Sequence, residues 1–162
     1  MSKYKLIAFD MDGTLLNTQK KISKHTVTAL NKAIDNNKHV VLSTGRAIVE
    51  LSDYKKELSN LQYGICESGA FIYDFKNKKI IHQDTIPLSI INEILDIAYH
   101  QDIMIHLLTN GNSVICKDDL EKMDKYNMEI YKSMFTQVAT IVEDIYDYAK
   151  KNKIEKINLY HK

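Results

Sequence analysis

A chain of 162 residues, 44% hydrophobic and 27% charged, has the make-up of a folded globular protein, sized for one domain or for one domain and part of another. Its 22 basic and 21 acidic side chains leave a formal charge of +1, so no overall field draws it to nucleic acid or to an anionic membrane, and any anion it binds must be held locally. Cys66 and Cys116 share no CxxC or Cys/His spacing, which argues against a disulfide framework or a zinc site, and no run approaches the ~18 apolar residues of a membrane span, so the expected compartment is the cytoplasm.

In chain order, residues 4–9 read as a buried strand that runs into Asp10 and Asp12. Ser23 is placed to cap a helix reaching about Asn36, with Val27, Leu30 and Ile34 on one face, and Asn36 and Asn37 suit its left-handed end. A second apolar strand, 39–43, leads to Thr44 and Gly45, then to a helical stretch over about 47–58. Residues 63–66 are strand-like, and 71–73 with 79–82 form a hairpin around the polar turn 75–78. Strands alternating with helices imply an α/β fold with a parallel sheet, whose ligands sit at the carboxyl ends of the strands, where Asp10, Thr44 and Glu67 fall.

Beyond Thr85 the texture changes. Pro87, the only proline, precedes an amphipathic helix over 88–100 with Ile90, Ile91, Ile94 and Ile97 or Ala98 as its apolar face. Apolar runs at 103–108 and 113–116 flank Thr109-Asn110-Gly111-Asn112, a strong hairpin signal. A helix from about Asp118, a strand near 138–142, a helix from about Glu143 and a strand over 154–160 complete an α+β half. The expected division is 1–84 and 85–162.

In an extended segment residues two apart share a side, so Asp10 and Asp12 face one site while Met11 turns away. Two such carboxylates need a cation or a shared proton, and Mg²⁺ suits them because it takes one or two carboxylates, keeps waters and accepts phosphate oxygens. One carboxylate can then attack phosphorus while the other handles protons, and Gly13 allows a sharp turn with main-chain N–H groups open to an anion. A simple Asp-Gly hairpin leaves Asp10 unaccounted for, and a Ca²⁺ loop would need a glutamate where Lys21 stands; a solvated surface turn is the competing reading. In "VVLSTGR", the Thr44 hydroxyl can bond a phosphate oxygen, Gly45 opens the amino end of the expected helix, and Arg46, the only arginine, sits at a helix end that disfavours a cation unless an anion is near. An exposed arginine in a lysine-rich chain is the alternative.

"FDMDGTLL" closely resembles the first motif of the haloacid dehalogenase (HAD) superfamily, and "VVLSTGR" resembles its second motif as found in Cof-type phosphatases. "ICESGAFIYD" is similar to the stretch that follows there, except that Ser68 stands where those proteins usually carry asparagine. The resemblance covers about residues 3–84 well and implies a Rossmann-like core with Asp10 as nucleophile, Asp12 as general acid/base, Thr44 as the phosphate-binding hydroxyl, and Mg²⁺ on Asp10 and the main-chain carbonyl of Asp12. More loosely, 85–162 is similar to part of the α/β (class IIB) cap that closes over the substrate.

Members of that family run longer and carry, after the cap, a lysine and a Gly-Asp acidic stretch, neither of which is evident here. "TIVEDIYDY" carries Asp144 and Asp147 but lacks the glycine, and the helix dipole accounts for both. The expected function is Mg²⁺-dependent hydrolysis of small phosphorylated metabolites, for example sugar phosphates, through an aspartyl-phosphate. The alternative is a truncated, weakly active or inactive chain that binds phosphate or a partner, with self-association through an exposed core edge. A signalling receiver domain is disfavoured because no later strand ends in a suitably placed aspartate.

Overall fold

The computed structural model describes residues 4–162 and divides into two compact units. The first runs up to Arg46 and resumes at Leu51–Gln83; the second comprises Ala47–Glu50 and Asp84–Lys162.

The first unit holds β1 (Leu6–Asp10), α1 (Lys24–Asp35), β2 (His39–Ser43), β3 (Tyr63–Cys66), β4 (Phe71–Asp74) and β5 (Lys79–Gln83) in a sheet of order β1-β2-β3-β4-β5. β1, β2 and β3 are parallel, and β4 and β5 add antiparallel. Ser23 caps α1, its Oγ accepting the Thr26 N–H at 3.0 Å, and Asn37 takes the left-handed conformation just past the helix end, with φ 55°. Asp74 shapes the turn between β4 and β5 by accepting the N–H of Asn77 at 2.8 Å.

Two expectations are corrected over residues 6–58. β1 is not a buried strand: none of its residues is buried and Leu6 is 57% exposed. Its hydrogen-bonded neighbour among the described residues is β2 alone, so within them β1 stands at the edge of the sheet, and an apolar run cannot announce whether a sheet continues beyond it. The helix expected over 47–58 is also not an α-helix. A 3₁₀ segment, Val49–Tyr54, replaces it, because Glu50 turns inward to accept the Ala47 N–H and Ser52 and Asp53 have little helical preference of their own.

The second unit holds α2 (Leu88–Tyr99), β6 (Met104–Thr109), β7 (Asn112–Cys116), α3 (Lys117–Glu121), α4 (Lys132–Val138), β8 (Thr140–Val142), α5 (Ile145–Lys151) and β9 (Lys156–Tyr160), with strand order β8-β7-β6-β9. β6 is buried along its whole length because both faces of the sheet are covered. Ile105 and Leu107 pack with Ile91, Leu95 and Ala98 of α2 and Ala149 of α5, while Met104 turns to Met123, Tyr126 and Phe135. β6 and β7 join through Asn110 (φ 52°) and Gly111 (φ 76°), the two left-handed residues that this tight hairpin needs.

Here too the pattern misleads twice. The buried stripe of α2 is Ile91, Leu95 and Ala98, whereas Ile90 and Ile97 of the expected face are 42% and 56% exposed. The helix expected from Asp118 is broken into α3, two 3₁₀ turns and α4, with Asn127 in the left-handed conformation between them. Among the described residues no helix is long and apolar enough to cross a membrane.

The corrected face of α2 is testable. Leu95→Ala should cost about 2–4 kcal/mol in urea denaturation, whereas Ile97→Ala should stay within about 0.5 kcal/mol of the parent; equal losses would restore the expected stripe.

Candidate active site

β1 delivers Asp10 to its carboxyl end, opposite Ser43 of β2. Met11 then turns wholly into the core, with Leu15 and Leu16 buried behind it, and these anchors hold the intervening polar residues outward. Asp12 is extended (φ −78°, ψ 117°) and Gly13 adopts φ +81°, which a side-chain-bearing residue would resist even though nothing crowds its missing Cβ. The turn brings the Thr14 hydroxyl to donate to Asp10 Oδ2 at 3.2 Å.

The next residues double back. Leu16 bridges Ile22, and Asn17 Oδ1 accepts the N–H groups of Gln19 and Lys21 at 2.9 and 3.0 Å. This small loop sets Lys20 Nζ 3.3 Å from Asp12 Oδ1, and the Tyr54 hydroxyl donates to the Lys20 carbonyl at 3.0 Å.

From the end of β2 comes the principal partner of Asp12. Arg46 donates through Nε to Asp12 Oδ2 at 2.8 Å and through Nη2 to Oδ1 at 2.9 Å, a two-pronged clamp. Its guanidinium lies over the Tyr54 ring, 5.9 Å from the centroid. The main chain around it is fixed: its N–H donates to Thr44 Oγ1 at 3.2 Å, and its carbonyl accepts the Glu67 N–H at 3.0 Å. Thr44 is itself buried, with its N–H on the Ile65 carbonyl and its carbonyl accepting the Ser68 N–H, so its hydroxyl keeps a proton to donate.

An arginine at this position calls for an anion beside it. Within the chain that anion is the Asp12 carboxylate. Gly45 is exposed, but no α-helix begins there, so the helix amino end expected to hold an anion is corrected to a turn followed by a 3₁₀ segment. Lys20, Thr14 and Tyr54 were not singled out from the sequence; the Asn17 turn was the one local signal for the loop that carries Lys20. Glu67, Ser68 and Gly69 are all at positive φ (54°, 59° and 106°), closing the loop after β3 against Thr44 and Arg46.

Electrostatically the pair of aspartates is resolved by two cations. Hydrogen bonds from Arg46, then its charge and that of Lys20, hold the Asp12 carboxyl below the usual carboxylate range despite partial burial. Asp12 is therefore an ionised group in the resting arrangement, better suited to taking a proton than to giving one. For Mg²⁺, the oxygen donors that suit it are the exposed Asp10 carboxylate and the main-chain carbonyl of Asp12, since the Asp12 side chain is engaged by Arg46. Among the described residues no group of three or more His, Cys, Asp or Glu side chains could hold a metal.

Residues 7–162 match the family model of the haloacid dehalogenase-like hydrolases. The chain belongs to that family. The pyridoxal phosphate phosphatase YbhA of Escherichia coli is 26% identical over 148 residues, covering 86% of this chain and 53% of that protein. The 5-amino-6-(5-phospho-D-ribitylamino)uracil phosphatase YcsE of Bacillus subtilis is 36% identical over 88 residues, covering 52% of this chain and 35% of that protein. A solved haloacid dehalogenase-like hydrolase from B. subtilis superposes with TM-score 0.73 at 23% identity, over 89% of this chain and 56% of that one, a likeness of fold. The chain spans about half the length of the curated relatives it matches along most of its own length.

The clamp sets a pH dependence. Because the folded Asp12 carboxyl lies below its unfolded value of about 3.9, its contribution is fully present above that pH and is lost as pH falls through the folded value. Arg46→Ala should therefore lower the urea midpoint by a constant amount from about pH 7 to pH 5, and the gap should shrink below about pH 4. A gap independent of pH would remove the clamp from the account.

Ser68, exposed and left-handed, stands where asparagine would adopt the same backbone with less strain. Ser68→Asn should raise stability by about 0.5 kcal/mol on thermal or urea unfolding.

Proposed function

We propose that this hydrolase chain carries the nucleophilic centre of a Mg²⁺-dependent phosphatase of small phosphorylated metabolites. The observation that carries this reading is an exposed Asp10 at the end of a parallel strand, two residues from an Asp12 that Arg46 clamps in place. An Asp10 carboxylate oxygen attacks phosphorus, the phosphorus–oxygen ester bond breaks, and the leaving oxygen takes a proton from Asp12, which takes one up from solvent when the substrate phosphate draws Arg46 from it. Water then attacks the aspartyl-phosphate, returns a proton to Asp12, and releases phosphate with Asp10 restored. Thr44 and main-chain N–H groups about Gly13 and Gly45 are the proposed phosphate contacts, with Arg46 able to share its charge between Asp12 and the substrate. When bound, Mg²⁺ would be held by Asp10 and the Asp12 carbonyl and would offset the negative charge of carboxylate and phosphate.

The substrates named for the two relatives, pyridoxal phosphate and a phosphoribitylamino-uracil, support a small phosphorylated compound over a macromolecule. The second unit, residues 84–162 with Ala47–Glu50, is read as the cap that selects that compound. A second reading, a chain that binds phosphate or a partner without turnover, is favoured by the clamp on Asp12, which leaves that carboxylate without a proton to give a leaving oxygen.

Phosphate release from an aryl phosphate by the 162-residue chain decides between them. The first reading expects Mg²⁺-stimulated turnover, abolished by chelator and reduced at least about 10³-fold in Asp10→Asn. Unchanged turnover in that variant overturns the nucleophile, and phosphate binding without turnover selects the second reading.

A further inference from the structure

Glu50 has no part in the chemistry above, yet its side chain is buried, 5% exposed, in the second unit. Burying a carboxylate is costly unless every lone pair is matched, and here the partners are specific. His106 Nε2 lies 3.2 Å from Glu50 Oε1 and 2.6 Å from Ser113 Oγ, and its Nδ1 lies 3.1 Å from the Asn158 amide. His106 and Ser113 share one face of β6 and β7, where the His106 ring stands edge-on to Phe135 at 4.7 Å. A Ser-His-Glu trio suggests a nucleophile, but Ser113 is fully buried and both Glu50 and Ser113 meet the same ring nitrogen, so no relay through the ring exists.

What the trio does hold is the other carboxylate oxygen. Glu50 Oε2 accepts the N–H of Ala47 at 3.1 Å, and the Glu50 N–H returns to the Ala47 carbonyl at 3.2 Å, closing a four-residue turn at both ends. The Val49 N–H adds a bond to the Gly111 carbonyl at 3.1 Å. Ala47 directly follows Arg46, so the peptide leaving Arg46 is fixed by Glu50, as its N–H is by Thr44 and its carbonyl by Glu67.

We infer that Glu50, oriented by His106 and Ser113, is a positioning residue for the Asp12 site: holding the Ala47 N–H, it fixes the backbone from which Arg46 reaches the Asp12 carboxylate. The catalytic meaning of this positioning rests on the phosphatase reading; the positioning itself does not.

Because Arg46 is the only arginine, its Nε–H gives a single, unambiguous arginine side-chain signal in the ¹⁵N-labelled chain, and the exchange of that proton with water reports the clamp. Glu50→Ala should accelerate this exchange by at least about tenfold, while Glu50→Gln, which keeps an oxygen for the Ala47 N–H, should restore most of the protection. Asp12→Asn should accelerate it in either background. Unchanged exchange in a Glu50→Ala chain with a native amide spectrum overturns the inference, leaving Glu50 a staple of the second unit only. Unchanged exchange in Asp12→Asn overturns it as well, since the signal would not be reading the clamp. Should Glu50→Ala fail to fold, Ser113→Ala carries the test, with a smaller acceleration expected and no change overturning. No outcome depends on turnover, so failure here leaves the Asp10 assay intact, and failure of that assay leaves this experiment readable.

Discussion

The two-pronged pair between Arg46 and Asp12 is the constraint around which the first unit's loops are arranged. Parallel pairing of β1 and β2 puts both strand ends at the same edge, with Asp10 opposite Ser43, so the loops carrying Asp12 and Arg46 must meet. Two aspartates on one side of a turn would repel; Arg46 and Lys20 return two positive charges to the same place. The Arg46 side chain is 12% exposed and that of Asp12 40%, an intermediate setting in which screening is partial and desolvation incomplete. Only a planar fork can grip both carboxylate oxygens at once, so lysine would not replace the chain's single arginine here.

Holding that geometry requires backbone conformations that most residues avoid. Gly13 at φ +81° and the run Glu67-Ser68-Gly69, all at positive φ, bend the loops inward, and the compensation is buried anchorage from Met11, Leu15, Leu42, Cys66 and Phe71 beside them. Rigid strands supply position and strained turns supply direction. A strand register slip of one residue would send Met11 outward and Asp12 into the core, which ties site geometry to the sheet itself.

Where signals were local, the sequence was legible. The Ser23 cap, the strands β2 and β3, and both hairpins were read from adjacent residues and lie where those residues indicate. Asp10, Asp12 and Arg46 were singled out from motif spacing, though the pairing of Arg46 with Asp12, 34 residues away, carries no sequence signal. The misses share a physical cause, which is tertiary context overriding pattern. β1 reads as buried because apolar periodicity cannot tell an edge strand from a central one, and α2 offers two overlapping apolar stripes of which the sheet covers one. The expected helix over 47–58 is lost to a buried Glu50 whose partners, His106 and Ser113, lie more than fifty residues on, as polar positions in otherwise apolar strands.

The clamp also bears on how one carboxylate can serve both halves of a phosphatase cycle. In the resting arrangement Arg46 and Lys20 keep Asp12 ionised, the form that accepts a proton from attacking water but has none to give a leaving oxygen. On the proposed reading, a phosphate dianion near Asp10 competes for the same guanidinium, and each hydrogen bond that Arg46 gives to the phosphate is lost to Asp12, raising its affinity for a proton. On the proposed reading, substrate arrival itself prepares the acid, and phosphate departure restores the ionised carboxylate. Such an exchange works only if Arg46 pivots at its guanidinium while its backbone stays fixed, and the Thr44, Glu67 and Ala47 hydrogen bonds around its main chain provide that fixed point. On that reading, the positioning of Arg46 is as much a part of the acid/base chemistry as the carboxylate it holds.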